Sequence, residues 1–280
     1  MANKSVVITG ATQGLGFAYA RDFLARGVNV LICARDSAAV SEAVAKLAAS
    51  ATNGARVVGQ SCDIGKMADL QALWDRGVRE FGRIDVWLNN AGYAKTGATF
   101  LATTPEQIAA MMNTNVIGSM NATQVAMAGM RQQGGGRVYI TLGGGGATGR
   151  VVPGMAAYST TKRALKYFAD SLVKEAKEAK TYGAAAEILI GTISPGVNMT
   201  EGMLREIAAV PAGERIKMLR PLNFIGEHVE TTSHWIVERI LADTRQGNAI
   251  VWLTTGRMLK RGIGMLFKKR DILSRYGLTT

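Results

Sequence analysis

"SVVITGATQGLG" (residues 5–16) joins a β-branched apolar run to a glycine-spaced turn, and the helical stretch "FAYARDFLARG" follows at once. An uninterrupted apolar run suits a strand buried on both faces, which is the habit of parallel sheets. In such a turn Gly10 permits the sharp reversal, Gly14 lets the backbone approach a phosphate, and Gly16 lets the helix pack close to the sheet. The N-terminus of that helix favours negative charge. Thr12, Gln13 and Leu15 lie between these glycines and count with them as candidate dinucleotide-binding positions. The spacing is G-x-x-x-G-x-G, so the loop alone reads either as a nucleotide cradle or as a plain tight turn.

Outward from this stretch the same alternation continues. Short β-branched runs at 28–34, 55–62, 84–89, 137–142, 186–194 and 248–253 alternate with helical stretches at 15–26, 37–51, 66–81, 104–133 and 156–182. Strands separated by helices predict an α/β fold, a Rossmann-type doubly wound parallel sheet of seven strands with helices on both faces. Its ligand crevice belongs at the carboxyl ends of the strands. Residues 1–253 are expected to form that domain, and 254–280 a basic amphipathic extension of it.

The chain has 280 residues, 48% apolar, with no apolar run near the roughly 18 residues that span a bilayer. The N-terminus runs almost directly into the first strand, which leaves no room for a signal peptide; a cytoplasmic site, or an organelle stroma after removal of a targeting peptide, is expected. Cys33 and Cys62 sit in apolar strand-like contexts that favour packing over a disulfide, and two histidines cannot build a metal cage, so no metal is expected. The net charge of +12 favours an anionic partner, but no interleaved basic and aromatic stripe points to nucleic acid.

The second strand ends in "ICARD". A carboxylate first after that strand would grip the ribose 2′-hydroxyl of NAD, whereas Arg35 there would pair with the 2′-phosphate of NADP, so NADPH is the expected cofactor. Asp36, one place later, would face solvent.

"NNAG" (89–92), "NTN" (113–115) and "YSTTK" (158–162), in register with the glycine loop, resemble the short-chain dehydrogenase/reductase family over nearly the whole chain. The resemblance implies that Tyr158 is the general acid protonating a substrate carbonyl, its pKa lowered by the charge of Lys162, which also holds the ribose hydroxyls. It implies that Asn115 holds a water linking Lys162 to solvent. It further implies that Asn89, Ala91 and Gly92 support the adenosine side and Asp63 accepts from the adenine amino group. Pro195, Gly196 and Val197 would line the nicotinamide, and Thr200 its carboxamide. The family's dimers and tetramers pair the helices at 104–133 and 156–182, so a homodimer or homotetramer is expected.

The family usually carries a serine about thirteen residues before the tyrosine; here that position is Gly145. Thr148, Thr141 or a backbone N–H of the glycine run could take its place. The whole chain is similar to the chlorophyll(ide) b reductase branch, above all in its ending, and this implies reduction of a 7-formyl group to hydroxymethyl. A generic carbonyl reductase of a smaller lipid, steroid or acyl substrate, and a silent NADP-binding scaffold, stay open beside it.

A large apolar substrate fits two further stretches. The segment at 200–225 stands where the family keeps its substrate lid, and Met203, Leu204, Ile207, Met218 and Leu219 would give it an apolar inner surface. In the tail, Leu259, Ile263, Leu266 and Phe267 share one helical face and Arg257, Arg261 and Lys268 another. That pattern reads as peripheral membrane contact, or as a helix packing its apolar face on the domain or a partner subunit.

Overall fold

The computed structural model describes residues 3–181, 187–210, 212–267 and 270–278. Seven strands form one parallel sheet in the order β3-β2-β1-β4-β5-β6-β9. They are β1 (Ser5–Thr9), β2 (Asn29–Ala34), β3 (Val57–Ser61), β4 (Val86–Asn89), β5 (Gly135–Thr141), β6 (Glu187–Ser194) and β9 (Ala249–Val251). The order reverses beside β1, which places the crevice between the loops that follow β1 and β4. A two-stranded ribbon, β7 (Val197–Asn198) with β8 (Gly226–Glu227), frames the inserted segment after β6.

Alternation along each strand divides the interior into two layers. Val6, Ile8, Val30, Ile32, Val86 and Leu88 face one core, shared with α1 (Gly14–Leu24) and α9 (Val229–Ala242). Val7, Leu31, Cys33, Trp87, Val138 and Ile190 face the other, under α3 (Met67–Phe81), α5 (Gly118–Gln132) and α6 (Ala156–Thr181). Cys33 and Cys62 are free thiols packed together in this second layer, as their apolar settings predict.

Local chemistry sets the helix ends. Asp36 is exposed, as expected, and also caps α2 (Ser37–Ala48) by accepting from the N–H groups of Ala38 and Ala39. Thr104 and Gln107 form a capping box around Pro105 at the start of α4 (Pro105–Met111). The single helix expected at 104–133 is interrupted by a π-helical stretch, Met112–Ile117, before α5 begins. Its sequence "MNTNVI" is rich in side chains that compete for backbone hydrogen bonds, and such widened turns gather at functional sites. α7 (Glu201–Ala209) and α8 (Ala212–Ile225) fill the inserted segment, and α10 (Thr255–Phe267) follows β9. Among the described residues, no helix is long and apolar enough to cross a membrane.

Candidate active site

The glycine loop is shaped by its neighbours. A side chain on Gly10 would meet the Ala91 backbone at 2.7 Å, and one on Gly16 would meet the Gly10 carbonyl oxygen at 2.4 Å. Asn90 donates to the carbonyls of Thr9 and Gly10 and so braces the turn. Asn89 itself is turned inward. It accepts from the Trp87 indole and donates to Thr123, so its side chain ties β4 to α5. Ala91 donates its N–H to Thr9 and abuts Gly10.

The first turn of α1 has no capping side chain of its own, and Glu201 Oε2 would lie 3.9 Å from a side chain on Gly14. The N-cap of α1, Gln13, makes no side-chain capping bond, and no acidic residue lies in that turn, which leaves the leading N–H groups free of a side-chain acceptor. Together with the close approaches at Gly10 and Gly16, this fits the pyrophosphate of a dinucleotide. Arg35 is exposed after β2, with no side-chain partner among the described residues. Asp63 accepts from the Gly65 N–H in a local turn, which leaves its other carboxylate oxygen open.

α7 lies across the mouth of this loop. A side chain on Gly14 would touch Thr200 at 3.4 Å; Thr200 is the N-cap of α7, and Arg205 of the same helix donates to Gln13. Gly196 turns with a positive φ against Trp252, and the Pro195 carbonyl accepts from Asn198, so the expected nicotinamide loop, Val197 included, is held at the start of β7.

The second half of the site gathers around the start of α6. Lys162 is buried and donates through Nζ to the Thr141 carbonyl at the end of β5, at 3.0 Å. A side chain on Gly92 would lie 3.4 Å from Asn115 Oδ1 and 3.6 Å from Lys162 Nζ, so those residues meet around Gly92. The Asn115 side chain makes three hydrogen bonds: it accepts from the Tyr93 N–H and donates to the Tyr93 carbonyl and to Thr161. It therefore ties the π-helical stretch, the loop after β4 and α6 together, which is a positioning task.

The glycine run at 143–146 rests on this helix. Side chains there would meet Tyr158 Oη at 3.0 Å from Gly143, the Tyr158 ring at 2.8 Å from Gly144, and the Lys162 backbone at 2.7 Å from Gly146. Gly143 is thus the residue facing the tyrosine hydroxyl, whereas Gly145 points away, toward the Arg150 carbonyl. Thr148 bonds within its own turn, donating to the Gly145 carbonyl and accepting from the Arg150 N–H. Of the stand-ins weighed for the serine, Thr141 keeps a buried hydroxyl without a protein partner, and Ser159, beside Gly144, keeps another that sequence reasoning missed.

The electrostatics differ from expectation at Tyr158. Burial, with the Glu206 charge second, pushes its pKa up to about 12 instead of down. Lys162 stands 5.8 Å from the ring centroid, and burial lowers its own pKa to about 8, so its charge does not offset the tyrosine's desolvation. Glu206 reaches the site from α7 and accepts from Thr96 at 2.7 Å, a contact between lid and loop that no local pattern signals.

The lid and tail also depart from the sequence reading. Ile207 and Leu219 are buried, with Met203 and Leu204 packed on them, against Met199, Leu222, Ile272 and Leu273; this is a small core of its own rather than an apolar lining. The Met218 side chain and Lys268 lie outside the described residues. Arg261, expected on a solvated or lipid-facing cationic side, is held inside by Glu227, and Arg257 stacks on Trp252 at 3.6 Å.

Over residues 4–209 the chain matches the short chain dehydrogenase family. It is 35% identical to the probable chloroplastic chlorophyll(ide) b reductase NYC1 of Arabidopsis thaliana, over 91% of this chain and 52% of that one. It is 30% identical to the chloroplastic chlorophyll(ide) b reductase NOL of the same plant, over 87% of this chain and 67% of that one. The chain spans about half the length of the NYC1 relatives it matches. A solved actinorhodin polyketide ketoreductase with NADPH superimposes with a TM-score of 0.74 at 24% identity, over 90% of this chain and 97% of that one, a likeness of fold. With its seven-stranded sheet, its glycine turn and these relatives, the chain belongs to the short-chain dehydrogenase/reductase family, oxidoreductases that work with a nicotinamide cofactor.

Proposed function

We propose that the chain is an NADPH-dependent reductase of a carbonyl, sharpest as a formyl group, on a large apolar molecule, with the 7-formyl group of chlorophyll b or chlorophyllide b as the substrate to test first. The observation that carries this reading is the pairing of Tyr158 with a buried Lys162 beneath the glycine run. When bound, reduced NADPH supplies the hydride. Tyr158 supplies the proton to the carbonyl oxygen, and the product is an alcohol. A tyrosine with its pKa pushed up to about 12 keeps its proton at neutral pH, which is the state a donor requires. Lys162, charged below about pH 8, holds the ribose hydroxyls, and Asn115 fixes the elements around it.

The other positions divide along the dinucleotide. The loop from Gly10 to Gly16 and the start of α1 hold the pyrophosphate, Arg35 the 2′-phosphate, and Asp63 the adenine amino group. Ala91 and Gly92 flank the adenosine side, while Pro195, Gly196, Val197 and Thr200 hold the nicotinamide end. Thr141, with its unpartnered hydroxyl at the end of β5, is the stand-in for the missing serine.

Support for a bulky apolar substrate comes from the loops around Tyr158. Phe100, Leu101 and Val151 are exposed on the loops after β4 and β5, which meet where the Gly97 N–H donates to the Gly154 carbonyl. The names of the NYC1 and NOL relatives point to the pigment. Exposed Ile117, Met120 and Tyr167, on or beside α5 and α6, support a homodimer or homotetramer paired through those helices.

The test is NADPH oxidation with chlorophyllide b, beside a small aromatic aldehyde and a Tyr158→Phe control. Hydroxymethyl product that disappears in Tyr158→Phe supports the proposal. Turnover of the small aldehyde alone replaces it with a smaller carbonyl substrate. NADPH binding without any turnover replaces it with a silent scaffold.

A further inference from the structure

Helix α10 turns its polar side inward and its apolar side outward. Arg257 and Arg261, one turn apart, face the domain: Arg257 lies over Trp252, and Arg261 donates to Glu227 and to the carbonyls of Phe224 and Ile225. Arg270 closes on the same Glu227 carboxylate at 2.8 Å. On the opposite side Leu259, Ile263, Leu266 and Phe267 are 66%, 51%, 82% and 86% exposed. Their spacing puts them in one stripe, so the arrangement inverts that of an ordinary surface helix, which buries its apolar stripe. The Arg261–Glu227–Arg270 cluster prevents α10 from rolling over to hide it.

Charge indicates what covers this stripe. Lys260 borders it, exposed and without a partner among the described residues, and Lys268 and Lys269 follow the helix in sequence. From Thr254 onward the chain carries seven cations and one acid; of these, Arg261 and Arg270 pair with Glu227 and Arg275 with Glu230, so Lys260 is the exposed cation that borders the stripe. A second copy of this chain would bring the same cationic tail against itself, within a molecule of net charge +12. An anionic lipid surface supplies both an apolar layer and the opposite charge.

We propose that α10 docks in the interface of an anionic bilayer, its stripe in the acyl boundary and its lysines among the headgroups. The proposal rests on α10 alone and is independent of the carbonyl substrate. The purified full chain is to be sedimented with vesicles of mixed phosphatidylglycerol and phosphatidylcholine, and with phosphatidylcholine alone. Binding is expected to the mixed vesicles and to weaken with salt. Leu266→Ser with Phe267→Ser should lower partitioning by at least about tenfold, with NADPH binding and unfolding temperature unchanged, since both side chains face outward. Lys260→Ala should lower it by about fivefold. Sedimentation with neither vesicle, equal sedimentation with both, or a double variant that binds like wild type would overturn the proposal. So would a lower oligomeric state of the double variant in light scattering, which would give the stripe to a second copy.

Discussion

Replacing Gly145 with serine puts a hydroxyl at the position where spacing from Tyr158 expects one, and the structure predicts damage rather than repair. Gly145 has φ +78°, a left-handed conformation that costs a residue with a side chain about 1–2 kcal/mol. Its Cβ would also fall 2.1 Å from the Arg150 carbonyl oxygen, far inside ordinary contact, so the backbone must move. That backbone is a closed turn, in which the N–H groups of Gly149 and Thr148 donate to the Gly145 carbonyl at 2.7 and 3.1 Å. Losing one of these bonds adds about 1 kcal/mol, for a total of about 2–3 kcal/mol. For a domain of this size that lowers Tm by roughly 3–5 °C. Circular-dichroism melting and NADPH-dependent turnover, read together, are expected to fall together, because Gly143 and Gly144 of the same run rest on Tyr158. Gly143→Ser, whose position has no positive φ and faces Tyr158 Oη, should cost less stability and act on turnover alone. An unchanged Tm with a raised kcat in Gly145→Ser would refute the reasoning.

Four other perturbations test the site and the tail. Arg35→Ala should weaken NADPH binding by about tenfold or more, the loss of one charge-assisted contact, while leaving NADH nearly untouched in calorimetric titration; equal loss of both sinks the 2′-phosphate assignment. Burial holds the Lys162 pKa down to about 8, so the ammonium is present below that pH and lost above it; kcat/KM for NADPH should hold below about pH 8 and fall beyond it, and a flat profile to pH 10 would count against its ribose role. Tyr158 is raised to about 12 by burial and then by Glu206, so the stability tied to its proton is complete below pH 10 and lost as pH rises through about 12. Glu206→Gln should move that loss to lower pH in a spectrophotometric titration. Glu227→Ala leaves two largely buried arginines without their carboxylate and should cost about 3 kcal/mol, seen as a lower Tm and as earlier proteolysis of the tail.

Much of the architecture could be read from local pattern. Each β-branched run from "SVVIT" to "NAIVWL" became a strand of the one sheet, because a strand buried on both faces must be apolar throughout. The pairing of Tyr158 with Lys162 was equally legible, since residues four apart on a helix share a face. The π-helical break after Met111 was not, because it depends on Asn115 finding Tyr93 and Thr161, residues distant in sequence. The different directions of the Asn89 and Asn90 side chains were not legible for a related reason. Strand alternation sends one side chain inward to Thr123 and the next to the glycine loop, and which is which depends on the register of β4 beside β1.

Sequence by itself determined the α/β class, the positions of the seven strands along the chain, the glycine turn and the Tyr158–Lys162 pair, because each follows from side-chain periodicity or backbone freedom within a few residues. Tertiary structure alone decided that Gly143 rather than Gly145 faces the tyrosine, that burial and Glu206 raise its pKa, and that the lid keeps a core of its own. It also decided the rotation of α10. The helix pattern marked an apolar and a basic face, but only the buried Glu227, more than thirty residues away, selects the basic face for the interior and leaves the apolar one outside. Amphipathicity states that a helix has two sides; the partner that desolvates one of them is supplied by the rest of the fold.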